Sequence, residues 1–294
     1  MRLTFATALA AAMALTAGSA SADPDWATVG QALGKAGTMQ PGGVYKVSLP
    51  RSDLHVTLDG VPIKPAFALG GWIAFEPMGG QAMVMGDLVV TQSEANPVMA
   101  KLQADGIEIT ALHNHLLRSS PMTLYMHVEG HGDPVKLADA LRRGLALSKM
   151  PFGPSAPPPS VAGPAFDVAA IDQALGAKGK LNGEVLQYAI PRKETIHDGD
   201  MAVPPAMGTA ISINFEPAGG GDAATTGDFV LLASEVNPVI EALHAHGIEV
   251  TALHSHMLNE QPRLFFLHFW AHGPVKTLTE GLAAALAQTN AQRN

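Results

Sequence analysis

The stretch SEANPVMAKLQADGIEITALHNH at residues 93–115 returns as SEVNPVIEALHAHGIEVTALHSH at residues 234–256, without a gap and with 15 of 23 positions identical. The copies stand 141 residues apart, too far for a solenoid, whose units run roughly 20–50 residues. The pattern predicts a duplicated domain. Its traces extend outward: Pro50-Arg51 recurs as Pro191-Arg192, Phe75-Glu76-Pro77 as Phe215-Glu216-Pro217, and Gly86-Asp87 as Gly227-Asp228. Each copy of the long stretch ends in His-x-His after a β-rich run, which raises the question of a metal site.

Coarse periodicity places the same elements in both units. A helix at residues 25–33 or 167–175 precedes strands at 44–49, 72–75 and 88–91, or at 185–190, 211–215 and 229–232. Asn96-Pro97 and Asn237-Pro238 read as an N-cap followed by a first-turn proline, with Gly106 or Gly247 ending the helix. Strands at 107–115 and 122–128, and again at 248–256 and 264–270, form a hairpin around a proline-containing turn, followed by a last helix. The expected fold is α+β: two tandem homologous domains, each a mostly antiparallel sheet with helices packed on one face.

The 294 residues carry 47% hydrophobic and 15% charged side chains, enough apolar material for two cores. A formal charge of −8 disfavours a nucleic-acid partner, which requires clustered Lys and Arg. Residues 1–22 read as a secretory signal peptide: Arg2, an apolar run from Leu3 to Ala17, and the small-x-small Ala20-Ser21-Ala22. No later run reaches the roughly 20 residues of a transmembrane segment. The expected domains are 23–150 and 166–294, joined by a Pro-rich linker at 151–165, in a periplasmic or secreted protein. There is no cysteine, so thiolate ligands, disulfides and a cysteine nucleophile are excluded.

Of 12 histidines, eight form matched pairs: His113/His254, His115/His256, His127/His268 and His131/His272. His55, His197, His244 and His246 have no counterpart in this alignment. Alternation along a strand sends His113 and His115 to one face, and the hairpin brings His127 opposite or nearly opposite His113. The expected ligand set is His113, His115, His127, His131 and Glu94 in the first unit, with His254, His256, His268, His272 and Glu235 in the second. Glu76 and Glu216 are further carboxylate candidates, and Asn96 and Asn237 candidate orienting groups. Imidazole and carboxylate suit a transition metal, zinc or copper first.

Two other readings stand beside the metal-binding one. A metal-dependent hydrolase-type enzyme would keep an open coordination position for water. A non-metal protein binding a small molecule or anion would use Arg51 or Arg192. The histidines also have a structural explanation, since Ile107, Ile109 and Ala111 precede His113 with the same parity and could extend a core surface. By the same parity Glu108 and Glu249 face the other way. No phosphate loop, nucleophile elbow or zincin helix is present to assign catalytic residues.

The run Ser-Glu-x-Asn-Pro-Val, then Gly-Ile-Glu-(Ile/Val)-Thr-Ala-Leu-His-x-His-(Leu/Met)-Leu, an aromatic-rich strand and His-x-x-x-His resembles the LppY/LpqO-like family. That resemblance covers about residues 25–288 and implies an exported bacterial domain of unknown function, often in two copies. Some members are lipoproteins and some are associated with metal or chromate resistance. The resemblance carries over no catalytic residues. This chain lacks the lipobox cysteine, which implies a protein free in the periplasm.

Overall fold

The structure, a computed structural model, describes residues 23–153 and 165–294. The signal-peptide expectation at 1–22 and the linker residues 154–164 lie outside them. The first copy runs α1 (Trp26–Leu33), β1 (Thr38–Met39), β2 (Tyr45–Pro50), β3 (Val56–Leu58), β4 (Val61–Ile63), α2 (Pro65–Ala68), β5 (Gly70–Met78), β6 (Gln81–Thr91), α3 (Gln92–Ala104), β7 (Glu108–His113), β8 (Thr123–Gly132) and α4 (Pro134–Leu145). The second runs α5 (Val168–Leu175), β9 (Lys180–Asn182), β10 (Val185–Ile190), β11 (His197–Asp198), β12 (Met201–Ala202), β13 (Ile211–Gly219), β14 (Asp222–Leu231), α6 (Val236–Ala245), β15 (Glu249–His254), β16 (Phe265–Pro274) and α7 (Val275–Leu286). Two six-stranded sheets result, ordered β1-β2-β5-β6-β8-β7 and β15-β16-β14-β13-β10-β9. Every pairing within them is antiparallel. The chain is therefore α+β, with two tandem homologous domains.

Strand alternation sets the layers. Val47, Leu49, Ile73 and Val84 point to one face of the first sheet and pack with Val29 and Leu33 of α1 and Leu137 and Leu141 of α4. The opposite face turns to the other copy: Val89 and Tyr125 pack in one cluster with Val185, Ala224 and Trp270. Helices lie outside and the two sheets face each other inside. Burial of these apolar side chains, about 25 cal/mol per Å², holds both layers.

Local chemistry places the helix starts. The Asp25 carboxylate caps α1 by accepting from the N–H groups of Ala27 and Thr28, and Gly34 closes it with a left-handed φ of 82°. The expected start of α3 at Asn96-Pro97 is corrected. The helix begins at Gln92, because Glu94 reaches back to accept from the Thr91 N–H at 2.9 Å, and Pro97 lies inside it.

The histidine strand departs from strict alternation. Ile109 opposes Val128 and Ala111 opposes His127, so Thr110 is an extra residue, a β-bulge. The second copy repeats it between Val250 and Ala252. The bulge inverts the parity read from the sequence. Ile107 and Ile109 enter the helix-side core, whereas Ala111 shares the inter-sheet face with His127. Glu108, opposite Glu129, and Glu249, opposite Trp270, also join that face, which corrects their expected parity, although Glu108 is solvent-exposed and Glu249 is paired with Arg118. Deleting Leu112 and Leu253 together should place His113 and His254 opposite Met126 and Leu267 and turn them away from the inter-sheet face. The expected result is a destabilised chain without metal binding, checked by thermal unfolding and metal content.

Candidate metal centre

Residues directly opposite one another in an antiparallel sheet share a face. Trp72, Asp87, His127 and Ala111 therefore form a row across four strands. Ser212, Asp228, His268 and Ala252 form the equivalent row in the second copy. Both rows lie on the inter-sheet face. His113, one step beyond Ala111, and His115, in the loop after β7, complete the first set, with His254 and His256 the second. The Thr251 hydroxyl donates to the His115 carbonyl at 2.5 Å, so one copy positions the histidine loop of the other.

The two sets merge. The imidazoles of His113 and His254 stack with centroids 3.5 Å apart, while His115 stacks on His268 and His127 on His256, each at 3.7 Å. Within the first copy His113 stands 5.0 Å from His115 and 5.1 Å from His127. Aromatic rings back the cluster: Tyr125 lies 3.3 Å from His115, and its equivalent Phe266 lies 3.5 Å from His256.

Hydrogen bonding is the more telling feature. Twelve buried side-chain polar atoms among the described residues have no hydrogen-bond partner. Eight of them converge here: Nε2 of His113, His115, His127, His254, His256 and His268, and Oδ1 of Asp87 and Asp228. Buried polar atoms are normally paired, so an orphaned group in a native fold calls for a specific cause. The other ring nitrogen is engaged in three cases. His268 Nδ1 donates to the Gly227 carbonyl at 2.8 Å, and His113 and His254 Nδ1 face the carbonyls of Asn114 and Ser255 at 3.4 Å. A ring held through Nδ1–H leaves the Nε2 lone pair free, the arrangement of metal-bound histidine.

Distances agree. Asp87 Oδ1 is 3.8 Å from His127 Nε2, and the Asp228 carboxylate is 3.8 Å from His256 Nε2 and 3.9 Å from His268 Nε2. These gaps are too long for hydrogen bonds. They lie near the roughly 3.4 Å between two donors on a tetrahedral ion with bonds of about 2.1 Å. Three triads have donor atoms all within 4.8 Å of one another: His113/His115/His127, Asp228/His256/His268 and His113/His254/His256.

Burial keeps the imidazoles neutral. It pushes His113 down to about 3, helped by His254, and His254 down to about 4. Burial also holds His115, His127, His256 and His268 well below the ordinary 6.5, with neighbouring histidines adding to the effect. The same burial raises Asp87 to about 7, against the pull of Lys46, and raises Asp228 well above its ordinary range, with Asp87 contributing. Two carboxylates and six uncharged imidazoles thus stand together in a setting that disfavours charge on each of them.

Four of the ten expected ligands lie elsewhere. Glu94 accepts from Arg51 Nη1 at 2.9 Å, Arg51 Nη2 at 3.2 Å and the Lys149 N–H at 2.8 Å. Glu235 does the same with Arg192, at 2.7 and 3.0 Å, and with the Asn290 N–H at 2.8 Å. Both carboxylates are consumed in ion pairs that clamp the start of a helix. His131 and His272 are exposed, near the outer ends of their strands. His131 lies four residues past His127, roughly 13 Å along the strand. Glu216 pairs with Lys64 Nζ of the other copy at 3.1 Å, and Asn96 and Asn237 are exposed on helices.

Arg51 is likewise spent. Its guanidinium donates to both Asp53 oxygens, both Glu94 oxygens and the Val89 carbonyl. Arg192 makes the matching set with Glu194, Glu235 and Val230. The anion-binding expectation loses both of its cations.

Asp87 and Asp228 are the members that sequence reasoning missed, although the repeated Gly-Asp was visible. Their glycine neighbours explain the repeat: a Cβ on Gly227 would fall 2.0 Å from the Ser212 carbonyl oxygen. A cleft of about 2180 Å³ between the copies is lined in part by Asp87, His115, His127, Asp228, His256 and His268.

A family described as Domain of Unknown Function (DUF1259) matches residues 27–147 and again residues 169–288. No curated protein matches the chain. Among solved structures, the trimeric bacterial microcompartment shell protein PduB is similar at 12% identity, over 87% of this chain and 96% of that one, with a TM-score of 0.23. The ethanolamine utilization protein EutL from Leptotrichia buccalis C-1013-b is similar at 10% identity, over 72% and 82%, with a TM-score of 0.19. At such TM-scores the superposition is too poor to define a common fold. Among the described residues, no helix is long and apolar enough to cross a membrane.

Proposed function

The chain belongs to the family described as Domain of Unknown Function (DUF1259), and we propose that its two copies jointly build a transition-metal centre. The observation that carries this reading is the convergence of six imidazole Nε2 atoms and two carboxylate oxygens, all buried and all without a hydrogen-bond partner. A purely structural histidine would be satisfied by a carbonyl or carboxylate. Zinc and copper suit the donor set, since both accept neutral imidazole. The protein is read as a periplasmic metal-handling protein, in keeping with the narrower LppY/LpqO-like resemblance and its association with metal resistance. The reading differs from two independent sites, because the centre straddles the copies.

Metal analysis of untagged full-length protein tests it directly. Zinc or copper should co-purify or be taken up at one or more ions per chain, and a chain with His115, His127, His256 and His268 replaced by Ala should take up none. Equal uptake by both chains would overturn the assignment.

A second reading is favoured by the cleft that six of these residues help to line: a metal-dependent hydrolase-type enzyme, with water or substrate entering from the cleft. Turnover of an ester or phosphoester that disappears on chelation and in the same variant would support it.

A further inference from the structure

We propose that the centre holds two ions side by side, one on each side of the interface between the copies. The inference rests on the metal-centre reading above and extends it to nuclearity. Its basis is donor number. A four-coordinate zinc or copper ion satisfies four ligands. Eight orphaned donor atoms converge at the interface, so a single ion would leave about half of them buried and unpaired.

The geometry divides the donors in two. His113/His115/His127 and Asp228/His256/His268 are triads with no common member. Each becomes a set of four by adding the equivalent of the other's extra residue, Asp87 to the first and His254 to the second. Asp87 already stands 3.8 Å from His127 Nε2, and the His254 ring is 4.9 Å from both His256 and His268. Each ion thus takes three imidazoles and one carboxylate from one copy. The third triad, His113/His254/His256, joins residues of both sets, and His113 and His254 are stacked at 3.5 Å. The two sets are therefore adjacent, and their ions would sit close enough to share a bridging oxygen ligand.

The pair is not symmetric. Around the first set stand Lys46, Trp72 and Tyr125, whereas the equivalent positions of the second carry Gln187, Ser212 and Phe266. The Lys46 ammonium lies 4.0 Å from the Trp72 ring, on the same face as Asp87. A fixed cation near one carboxylate disfavours a second positive charge there, so the set around Asp228 should fill first.

The test is a titration of metal-stripped full-length protein with Cu(II), counting only ions retained through desalting and following the electron paramagnetic resonance signal. Two ions per chain are expected, with an isolated Cu(II) spectrum at one equivalent and a broadened or lost signal at two, as the spins couple. The Asp228→Asn/His268→Ala chain should stop at one ion with an isolated spectrum. So should the Asp87→Asn/His127→Ala chain, which provides the test if the first pair fails to fold. An endpoint of one ion overturns the two-ion inference and leaves the metal centre standing. Two ions without coupling overturn the adjacency, and no uptake at all overturns the metal-centre reading itself.

Discussion

Replacing Arg51 with Ala should cost about 3–5 kcal/mol of stability, and Arg192→Ala a similar amount, as expected when one partner of a buried ion pair is removed. Arg51 is fully buried, and its guanidinium N–H groups are all accepted by Asp53, Glu94 and the Val89 carbonyl. It ties the end of β2 to the end of β6 and, through Glu94, to the start of α3 and the segment after α4. Truncation strands the Glu94 carboxylate with only the Thr91 and Lys149 N–H groups. Lysine should not rescue it, because an ammonium cannot match a planar bidentate fork.

The pair also gives a pH signature. Burial alone would raise Glu94, yet the Arg51 bonds and the two backbone N–H donors bring it from 4.5 down to about 2. A depressed carboxylate contributes stability that is full above its unfolded value and is lost as pH falls through its folded value. The Glu94 contribution should therefore fade between about pH 4.5 and pH 2. Denaturant unfolding of Glu94→Gln over that window checks it: the gap to the parent chain should narrow as the pH drops. A constant gap, or an Arg51→Ala loss below about 1 kcal/mol, would overturn the assignment.

Much of this architecture was legible from one chain because duplication repeats its own constraints. The helix at Trp26–Leu33, the hairpin carrying His113 and His127, and the two-copy organisation all follow from pattern and turn residues. The failures share a physical origin, which is that sequence parity assumes an unbroken strand. One extra residue at Thr110 reverses the parity upstream of Ala111, so Ile107 and Ile109 never share a face with His113. That takes Ile107 and Ile109 out of any apolar surface that His113 would extend. The glutamates failed for another reason. Glu94 looked available because its partner Arg51 lies 43 residues away, and nothing local marks a long-range ion pair. Asp87 went unrecognised because its role arises from cross-strand register opposite His127. Face-to-face packing of the two sheets has no local signal at all, and it is what turns two groups of histidines into one cluster.

That packing leads to the sharpest expectation for the histidines themselves. His127→Leu and His256→Leu should each raise the stability of the metal-free protein while reducing or abolishing the stabilisation that metal provides. An unpaired buried polar group costs about 1–3 kcal/mol, and replacing it with an apolar group of similar size relieves that cost. His127 and His256 are 4% and 8% exposed, and neither Nε2 has a hydrogen-bond partner. Metal acts in the opposite direction: a ligand that binds only the folded chain, at 1,000 times its dissociation constant, contributes about 4 kcal/mol. The parent chain should therefore gain several degrees in Tm on addition of zinc or copper, and chelation should reverse the gain. A core histidine predicts the reverse pattern, with Leu lowering Tm through lost packing and lost hydrogen bonds and metal doing nothing. Thermal unfolding of the parent and both variants, with metal and with chelator, separates the two. If both variants lose stability without metal and the parent is indifferent to metal, the histidines serve the fold. Destabilisation of the metal-free parent that is relieved by either Leu or a bound ion is the mark of a site whose buried donors are held for a metal at the expense of the empty fold.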